Sequence, residues 1–161
     1  MTWSLKISNG DLAIGKNNSL AIVTGTRKVV QDLMFWIKHP IGADPLNPDL
    51  GSFIENGEGG ASFLVAGEQV FLPNDFQDLV ISEVRRLINR YMSIQQKRAN
   101  QEIAQFSRLV TINEDELILR YEISSKVNYD TMYLTINLIT AYGDVYNLDI
   151  PFQDAAIIRG F

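Results

Sequence analysis

The last third of the chain alternates apolar and polar residues, and this pattern constrains the fold more than any other feature of the sequence. One apolar set recurs at every second position: Met132, Leu134, Ile136 and Leu138. A second set interleaves with it: Tyr133, Thr135, Asn137 and Ile139. Successive side chains of a β-strand point to opposite faces, so this alternation is typical of strands that are buried on one face.

The residues before and after this run extend the same pattern. Upstream, the spacing predicts a common face for Leu117, Leu119, Tyr121 and Ile123. Turn-forming residues occupy positions 113–116, 128–130 and 142–144. The region therefore predicts an antiparallel meander that ends at Ile150-Pro151.

Two earlier stretches carry apolar residues at helical spacing. The first follows Thr24 and Thr26, either of which could cap a helix by accepting a hydrogen bond from a free backbone N–H, and it ends at His39-Pro40. Its predicted buried stripe consists of Val29, Val30, Leu33, Met34 and Ile37.

The second helix is predicted to begin at Asn74 or Asp75, because acidic residues there are stabilised by the positive N-terminal end of a helix. Its predicted buried stripe consists of Phe76, Leu79, Val80, Val84, Leu87, Ile88, Tyr91 and Met92. The polar residues 93–105 follow, and the pattern leaves open whether the helix continues through them.

The remaining segments are short or irregular. Residues 11–14 and 20–23 are predicted to form a strand pair across a turn-forming stretch. Residues 40–60 contain three prolines and five glycines, which predict an ordered surface loop without regular structure. Residues 61–72 are predicted to be a hairpin or an insertion.

These elements together predict one α+β domain over residues 1–161. Two amphipathic helices would pack on a mainly antiparallel sheet with a C-terminal meander, and residues 40–72 would form a loop or insertion. A chain of 161 residues with 46% hydrophobic content can bury one sizeable core.

Charge and composition exclude several classes of function. A net charge of −5 disfavours nucleic acid and anionic membrane surfaces as partners. The chain has no cysteine, which excludes disulfides, thiolate metal sites and cysteine nucleophiles. The first ten residues do not resemble a secretory signal, so a cytoplasmic location is expected.

Residues suited to catalysis are sparse. The one histidine, His39, lies at a predicted helix end and favours a structural role. Four carboxylates occupy the glycine-rich segment: Asp44, Asp49, Glu55 and Glu58. Two of them could act as the acid and base of a cell-wall hydrolase, but acidic residues among Gly and Asn are more often turn formers. We therefore expect no enzyme, no metal site, no cofactor and no small-molecule substrate.

Residues 9–54 contain an ordered set of motifs: Asp11-Leu12, Leu20 with Val23 and Gly25, Val30-Gln31-Asp32-Leu33, and a proline-rich loop that closes on Gly51-Ser52. In this order the motifs resemble the GPW-like baseplate wedge family of contractile phage tails. Within the loop, Gly42, Pro48, Asp49 and Gly51 fall in register with the family pattern. Ala43 stands where the family usually has an acid, Leu50 replaces an aromatic residue, and the loop has no arginine.

The resemblance implies a structural subunit of the virion tail baseplate, assembled in the host bacterial cytoplasm. Such a subunit would dock on the helical core of the wedge and offer its sheet to the tail sheath protein, helping to nucleate or anchor the sheath. The expected partners are thus other wedge subunits and the sheath protein. A stand-alone regulatory adaptor of the same fold is the alternative from another class.

The partner-binding residues are predicted on the loop, on the first helix and at the chain end. They are Trp36, Gly42, Asp44, Pro45, Pro48, Asp49, Gly51 and Phe161. Trp36 lies one position off the main helix stripe, so core packing and an interface role both remain open. Residues 153–161 or the exposed edge of the C-terminal strand could pair with a sheath subunit by strand addition.

Overall fold

The computed structural model describes residues 2–57, 60–65, 68–70, 76–106, 112–128 and 131–153. Its strands and helices confirm an α+β fold. The elements are β1 (Trp3–Leu5), β2 (Ile7–Ser8), β3 (Asp11–Leu12), β4 (Ile22–Thr24), α1 (Gly25–Lys38), β5 (Ile54–Gly57), β6 (Gly60–Val65), β7 (Glu68–Val70), α2 (Phe76–Phe106), β8 (Ile118–Asn128), β9 (Thr131–Thr140) and β10 (Val145–Gln153).

The C-terminal meander is present as predicted. Its three strands are antiparallel in the order β10-β9-β8, and Ile136 at the centre of β9 pairs with Ile123 on β8 and Leu148 on β10. The alternation on β9 is confirmed, since the apolar set at even positions from Met132 to Leu138 is buried. One face of the sheet therefore forms the floor of the core.

The predicted face of β8 is wrong at its start. A register irregularity between Ile118 and Arg120 shifts the alternation by one residue. Ile118 is consequently buried, whereas Leu119 is exposed. A bulge inserts one extra residue into a strand, which simple counting by two cannot reveal.

Both helices bury the central residues of their predicted stripes in the core that this sheet shares, while Val30, Met34, Leu79 and Met92 are partly buried. The side chain of Phe76 lies outside the described part of the structure. Val29, Leu33 and Ile37 of α1 are fully buried. On α2 the buried members are Val80, Val84, Leu87, Ile88 and Tyr91. The helix continues to Phe106, so it includes the polar run, and its predicted start at Asn74 or Asp75 lies outside the described residues.

The predicted threonine cap of α1 is wrong. Thr24 occupies the N-cap position, but its side chain makes no capping hydrogen bond. Instead the Gly25 N–H donates to Glu116 Oε1 at 3.1 Å, and the Thr26 hydroxyl donates to the Asp115 carbonyl. A carboxylate is stabilised by the positive N-terminal end of a helix. Glu116 is only 1% exposed, so water does not compete for this contact. A residue from the turn before the meander thus caps the helix.

Residues 3–24, here called the N-terminal ribbon, pair differently from the prediction. Segments 11–14 and 20–23 meet at the isolated bridge between Ile14 and Leu20. Their strands pair elsewhere: β3 with β2, and β4 with β1. Asn9 and Gly10 both have positive φ, which is the geometry of a two-residue type I′ hairpin turn between β2 and β3.

A second small sheet follows the loop. Strands β5, β6 and β7 are antiparallel in that order, which agrees with a hairpin over residues 61–72. The prediction that residues 40–60 lack regular structure is wrong for β5. Ile54 is buried in the main core, so the strand begins where the loop returns to the body of the protein.

Candidate partner-binding site

The loop of residues 42–51 is closed at its base by backbone hydrogen bonds. The Ile41 N–H donates to the Ser52 carbonyl at 2.9 Å, and the Ser52 N–H donates to the His39 carbonyl at 2.8 Å. The buried Ser52 hydroxyl donates to the Ile37 carbonyl at 2.7 Å, at the last turn of α1. The loop therefore leaves the end of α1 and returns to it with a fixed geometry.

Two predicted loop residues are needed for their backbone conformation. Gly51 has φ of +111°, and a Cβ at this position would lie 2.3 Å from the His39 carbonyl oxygen. Gly42 has φ of +80°, and its N–H donates to the Pro48 carbonyl at 2.9 Å. Glycine adopts positive φ without steric cost, so both residues shape the loop.

Asp44 organises the tip of the loop. Its carboxylate accepts hydrogen bonds from the Leu46 N–H at 2.9 Å and from the Asn47 side chain at 3.3 Å. These bonds, the first above all, hold the pKa of Asp44 below its usual value because they favour the ionised form. Pro45 and Pro48 are exposed, and Leu46 at the tip is 89% exposed.

An ion pair on α2 holds the C-terminal side of the loop. Arg86 donates to both oxygens of Glu83, at 2.8 and 2.7 Å, and also to the Gly51 carbonyl at 3.2 Å. Glu83, only 6% exposed, also accepts from the Phe53 N–H at 2.9 Å. The Arg86 guanidinium carbon lies 5.3 Å from the centre of the Phe53 ring. A two-pronged pair of this kind has a fixed orientation, so it positions the chain that it touches.

A second arginine connects the loop to Trp36. Arg90 donates to the Asp49 carbonyl, and its guanidinium carbon lies 6.0 Å from the centre of the Trp36 ring. On its other side, Trp36 makes an edge-to-face contact with Tyr91, with ring centres 5.3 Å apart. Trp36 is half-buried, so its ring belongs to the core and to the surface at once.

The structure thus brings most of the predicted site residues together. Gly42 and Pro48 are joined by a backbone hydrogen bond. Arg90 contacts both the Asp49 carbonyl and the Trp36 ring, so it links these two residues. Phe161 lies outside the described residues.

Sequence reasoning missed three residues of this site: Glu83, Arg86 and Arg90. Positions 83, 86 and 90 are three and four residues apart, so they lie along one side of a helix. That spacing was the available signal. The loop itself has no arginine, and α2 supplies the guanidinium groups that reach it.

A cleft of about 320 Å³ lies beside Trp36 between the two helices. Two ion pairs involve residues of its wall: Lys28 with Asp32 at 2.5 Å, and Arg98 with Glu102 at 3.2 Å. The Tyr91 hydroxyl donates to Asp32 at 3.0 Å, and burial raises the pKa of this tyrosine. Glu116 also lines the cleft, and its carboxylate accepts hydrogen bonds from the Thr2 hydroxyl and the Gly25 N–H.

The carboxylates of the loop do not form an acid and base pair among the described side chains. A general acid in sugar hydrolysis needs a raised pKa, whereas that of Asp44 is lowered. Asp49 is exposed and contacts α2 through its backbone. The side chain of Glu55 and all of Glu58 lie outside the described part of the structure.

Two further observations concern other kinds of site. The described residues contain no group of three His, Cys, Asp or Glu side chains that could hold a metal ion. His39 caps the end of α1, where its N–H donates to the Phe35 carbonyl, and its ring stacks on Phe35 with centres 4.9 Å apart. Among the described residues, no helix has the length and apolar character needed to cross a membrane.

Comparison of the chain with protein-family models, with curated proteins and with solved structures finds no match.

Proposed function

We propose that this chain is a structural subunit of a contractile-tail baseplate wedge, and that its loop binds a helical partner subunit. The observation that carries the proposal is the preformed loop of residues 42–51. Arg86 and Arg90 fix it on α2, while Leu46 at its tip is exposed. An exposed leucine on a rigid loop contributes little to the stability of a monomer. In a binding protein the same leucine can be buried against the partner.

The physical advantage of such a loop is its low entropic cost on binding. Ordering a flexible segment at an interface costs free energy that a fixed segment has already lost. The prolines and the Asp44 turn add to this stiffness. Trp36 beside the loop provides an aromatic anchor, and Arg90 stacked near it is of the residue type enriched at binding hot spots.

The second contact of the proposed subunit is with the tail sheath protein, through the C-terminal strand edge or residues 153–161. Strand β10 is an outer strand of the three-stranded sheet, and the proposed strand would add to the part of its edge that β6 does not contact. Pro151 has no N–H, which limits a continuous added ladder on β10 to the part before this residue. The remaining residues 154–161 lie outside the described part.

The first test is where the chain lies in a tail particle. Immunogold labelling of purified tails with antibody against this chain should place the label at the baseplate, with none along the sheath. Label that is absent from the baseplate, in particles shown to contain the rest of the wedge, would overturn the wedge proposal.

The second test concerns the loop itself. A triple substitution of Asp44, Pro45 and Pro48 by alanine, and separately Leu46→Ser, should abolish co-purification with the wedge proteins of the same tail particle. The matched control is Leu119→Ser, which removes another exposed leucine, from the bulge of β8. Co-assembly of the triple variant at wild-type level would rule out the loop as the binding site.

A further inference from the structure

The N-terminal ribbon carries an apolar face that nothing covers within the described structure. Residues directly opposite in paired strands share a face, and the three apolar pairs here are Leu5 with Ile22, Ile7 with Leu12, and Ile14 with Leu20. All six side chains are exposed, as is Trp3 at 63%. Contiguous exposed apolar surface of this kind marks an interaction site.

The opposite side and the edge of the ribbon are already occupied by α1. The Ser4 hydroxyl donates to Asp32 at 3.2 Å. The Gln31 side chain accepts from the Ile7 N–H at 2.9 Å and donates to the Leu5 carbonyl at 2.8 Å. This amide takes the two backbone groups that an added strand would use. A partner must therefore dock on the apolar face rather than extend this edge.

The rim of the apolar face is positively charged. Lys6 and Arg27 line a groove of about 310 Å³ beside Ile7 and Ile22. Neither cation makes an ion pair within the described residues, although Lys28 next to Arg27 is paired with Asp32. The first turn of α1 has no acidic residue of its own, and the Glu116 carboxylate that caps it is buried rather than at the rim.

The net charge of the ribbon also differs in sign from that of the complete chain. Residues 3–24 contain Lys6 and Lys16 against Asp11, a net charge of +1, and Arg27 lies just beyond them, whereas the complete chain carries −5. The ribbon is therefore less acidic than the rest of the protein, and its two rim cations, which are unpaired among the described residues, are complementary to an acidic partner.

We propose that the apolar face of the ribbon binds an acidic amphipathic segment of a partner protein. Its apolar side chains would bury Trp3, Ile7 and Ile22, and its carboxylates would meet Lys6 and Arg27. A second copy of this chain fits less well, because a face-to-face pair would bring two basic rims together. Burial of the apolar side chains supplies affinity, and the rim charges select the partner.

This surface is separate from the loop of the proposed function. Helix α1 has 14 residues and spans about 21 Å. The ribbon contacts the middle of this helix through Gln31 and Asp32, whereas the loop follows its last residue. The two sites can therefore be tested independently.

The two tryptophans of the chain report on the two surfaces separately. In a Trp36→Phe variant, Trp3 is the only tryptophan and sits on the ribbon. We expect a synthetic helical peptide with a leucine stripe and glutamates elsewhere to shift Trp3 emission to shorter wavelength. The same peptide with lysine at each glutamate should bind at least about tenfold more weakly at low salt, a difference that shrinks as salt is added.

Substitutions on the ribbon then test which contacts are responsible. A Lys6→Glu, Arg27→Glu variant should reverse the preference between the two peptides. Ile22→Ser should weaken binding of the glutamate peptide at least about tenfold, while Leu119→Ser leaves it unchanged. Because the charge reversal affects only exposed side chains, it remains informative if Ile22→Ser fails to fold.

Three results would overturn the proposal. The peptides could bind equally well, which would remove the charge selection. The Trp3 shift could follow protein concentration without peptide, which would indicate a second copy. Anionic phospholipid vesicles could produce the shift while the glutamate peptide does not. In a Trp3→Phe variant, Trp36 is the only tryptophan, and its emission reports on the loop side. Its response therefore tests the loop proposal separately from these three results.

Discussion

The N-terminal ribbon and the C-terminal meander use similar residues with opposite outcomes. In the meander, the even-numbered apolar residues of β9 are buried against two helices. In the ribbon, the paired leucines and isoleucines stay exposed although they also face one another across strands. The difference is what covers each face: the core shared with α1 and α2 covers the meander, whereas α1 contacts the ribbon at Ser4 and along the edge at Leu5 and Ile7. Pairing of apolar residues thus does not imply burial.

The largest expected effect is the difference in stability between two leucine substitutions, one in each region. Leu134→Ala on β9 should lower the free energy of unfolding by about 2–5 kcal/mol, because it leaves a cavity in a fully buried site. Leu20→Ala in the ribbon should change it by less than about 0.5 kcal/mol, because this side chain is largely exposed. Urea unfolding followed by circular dichroism measures both. Equal losses would mean that the ribbon is buried in solution and would remove the contrast.

The regions that could be predicted from the sequence are those with a covered face. Burial of one side imposes a period of two on a strand and of 3.6 on a helix, so β9 and the stripes of α1 and α2 could be identified from spacing alone. The ribbon has strands of two or three residues with no covered apolar face. The prediction therefore gave only the contact between segments 11–14 and 20–23, at Ile14 and Leu20, and missed the pairings of β1 with β4 and β2 with β3. Asn9-Gly10 was an available signal for the second of these pairings.

The features that the sequence could not supply depend on residues far apart in the chain. Glu116 caps α1 across a separation of 91 residues, which no local rule for helix starts can detect. The same holds for Arg86 and Arg90, which reach the loop from α2. Loop composition predicted a turn-rich segment, but the side of α2 that meets it follows only from the packing of the two helices.

Glu116 lies in the turn before the meander and bonds to Thr2 and Gly25, the residues on either side of the ribbon, and its substitution gives the next largest effect. Its second oxygen accepts from the hydroxyl of Thr2 at 2.7 Å, while the first accepts from the Gly25 N–H. Glu116→Gln removes the charge and points an amide donor at one of these groups. We expect a loss of about 2 kcal/mol, since hydrogen bonds to a buried charged group are the strong ones.

The effect of Glu116→Gln should also be local. Amide hydrogen exchange should accelerate in residues 2–8 and at the start of α1, while β9 keeps its protection relative to global unfolding. Glu114→Gln is the control, because Glu114 is exposed and its backbone carbonyl rather than its side chain accepts from the Tyr142 N–H. Equal acceleration in β9 would show that the ribbon and the meander unfold as one unit.

The smallest expected effect tests how the ribbon is held. In the meander, backbone groups of β9 pair with a strand on both sides, whereas the Ile7 N–H and the Leu5 carbonyl pair with the side chain of Gln31. Both bonds are exposed, so Gln31→Ala should cost less than about 1 kcal/mol of global stability. It should nevertheless remove most of the exchange protection of the Ile7 amide. Gln96→Ala, which removes an exposed glutamine of α2, should leave that amide unchanged. If the Ile7 amide remains protected from exchange in the Gln31 variant, pairing between the ribbon's own strands is sufficient for that protection, and the hydrogen bonds from α1 are not required.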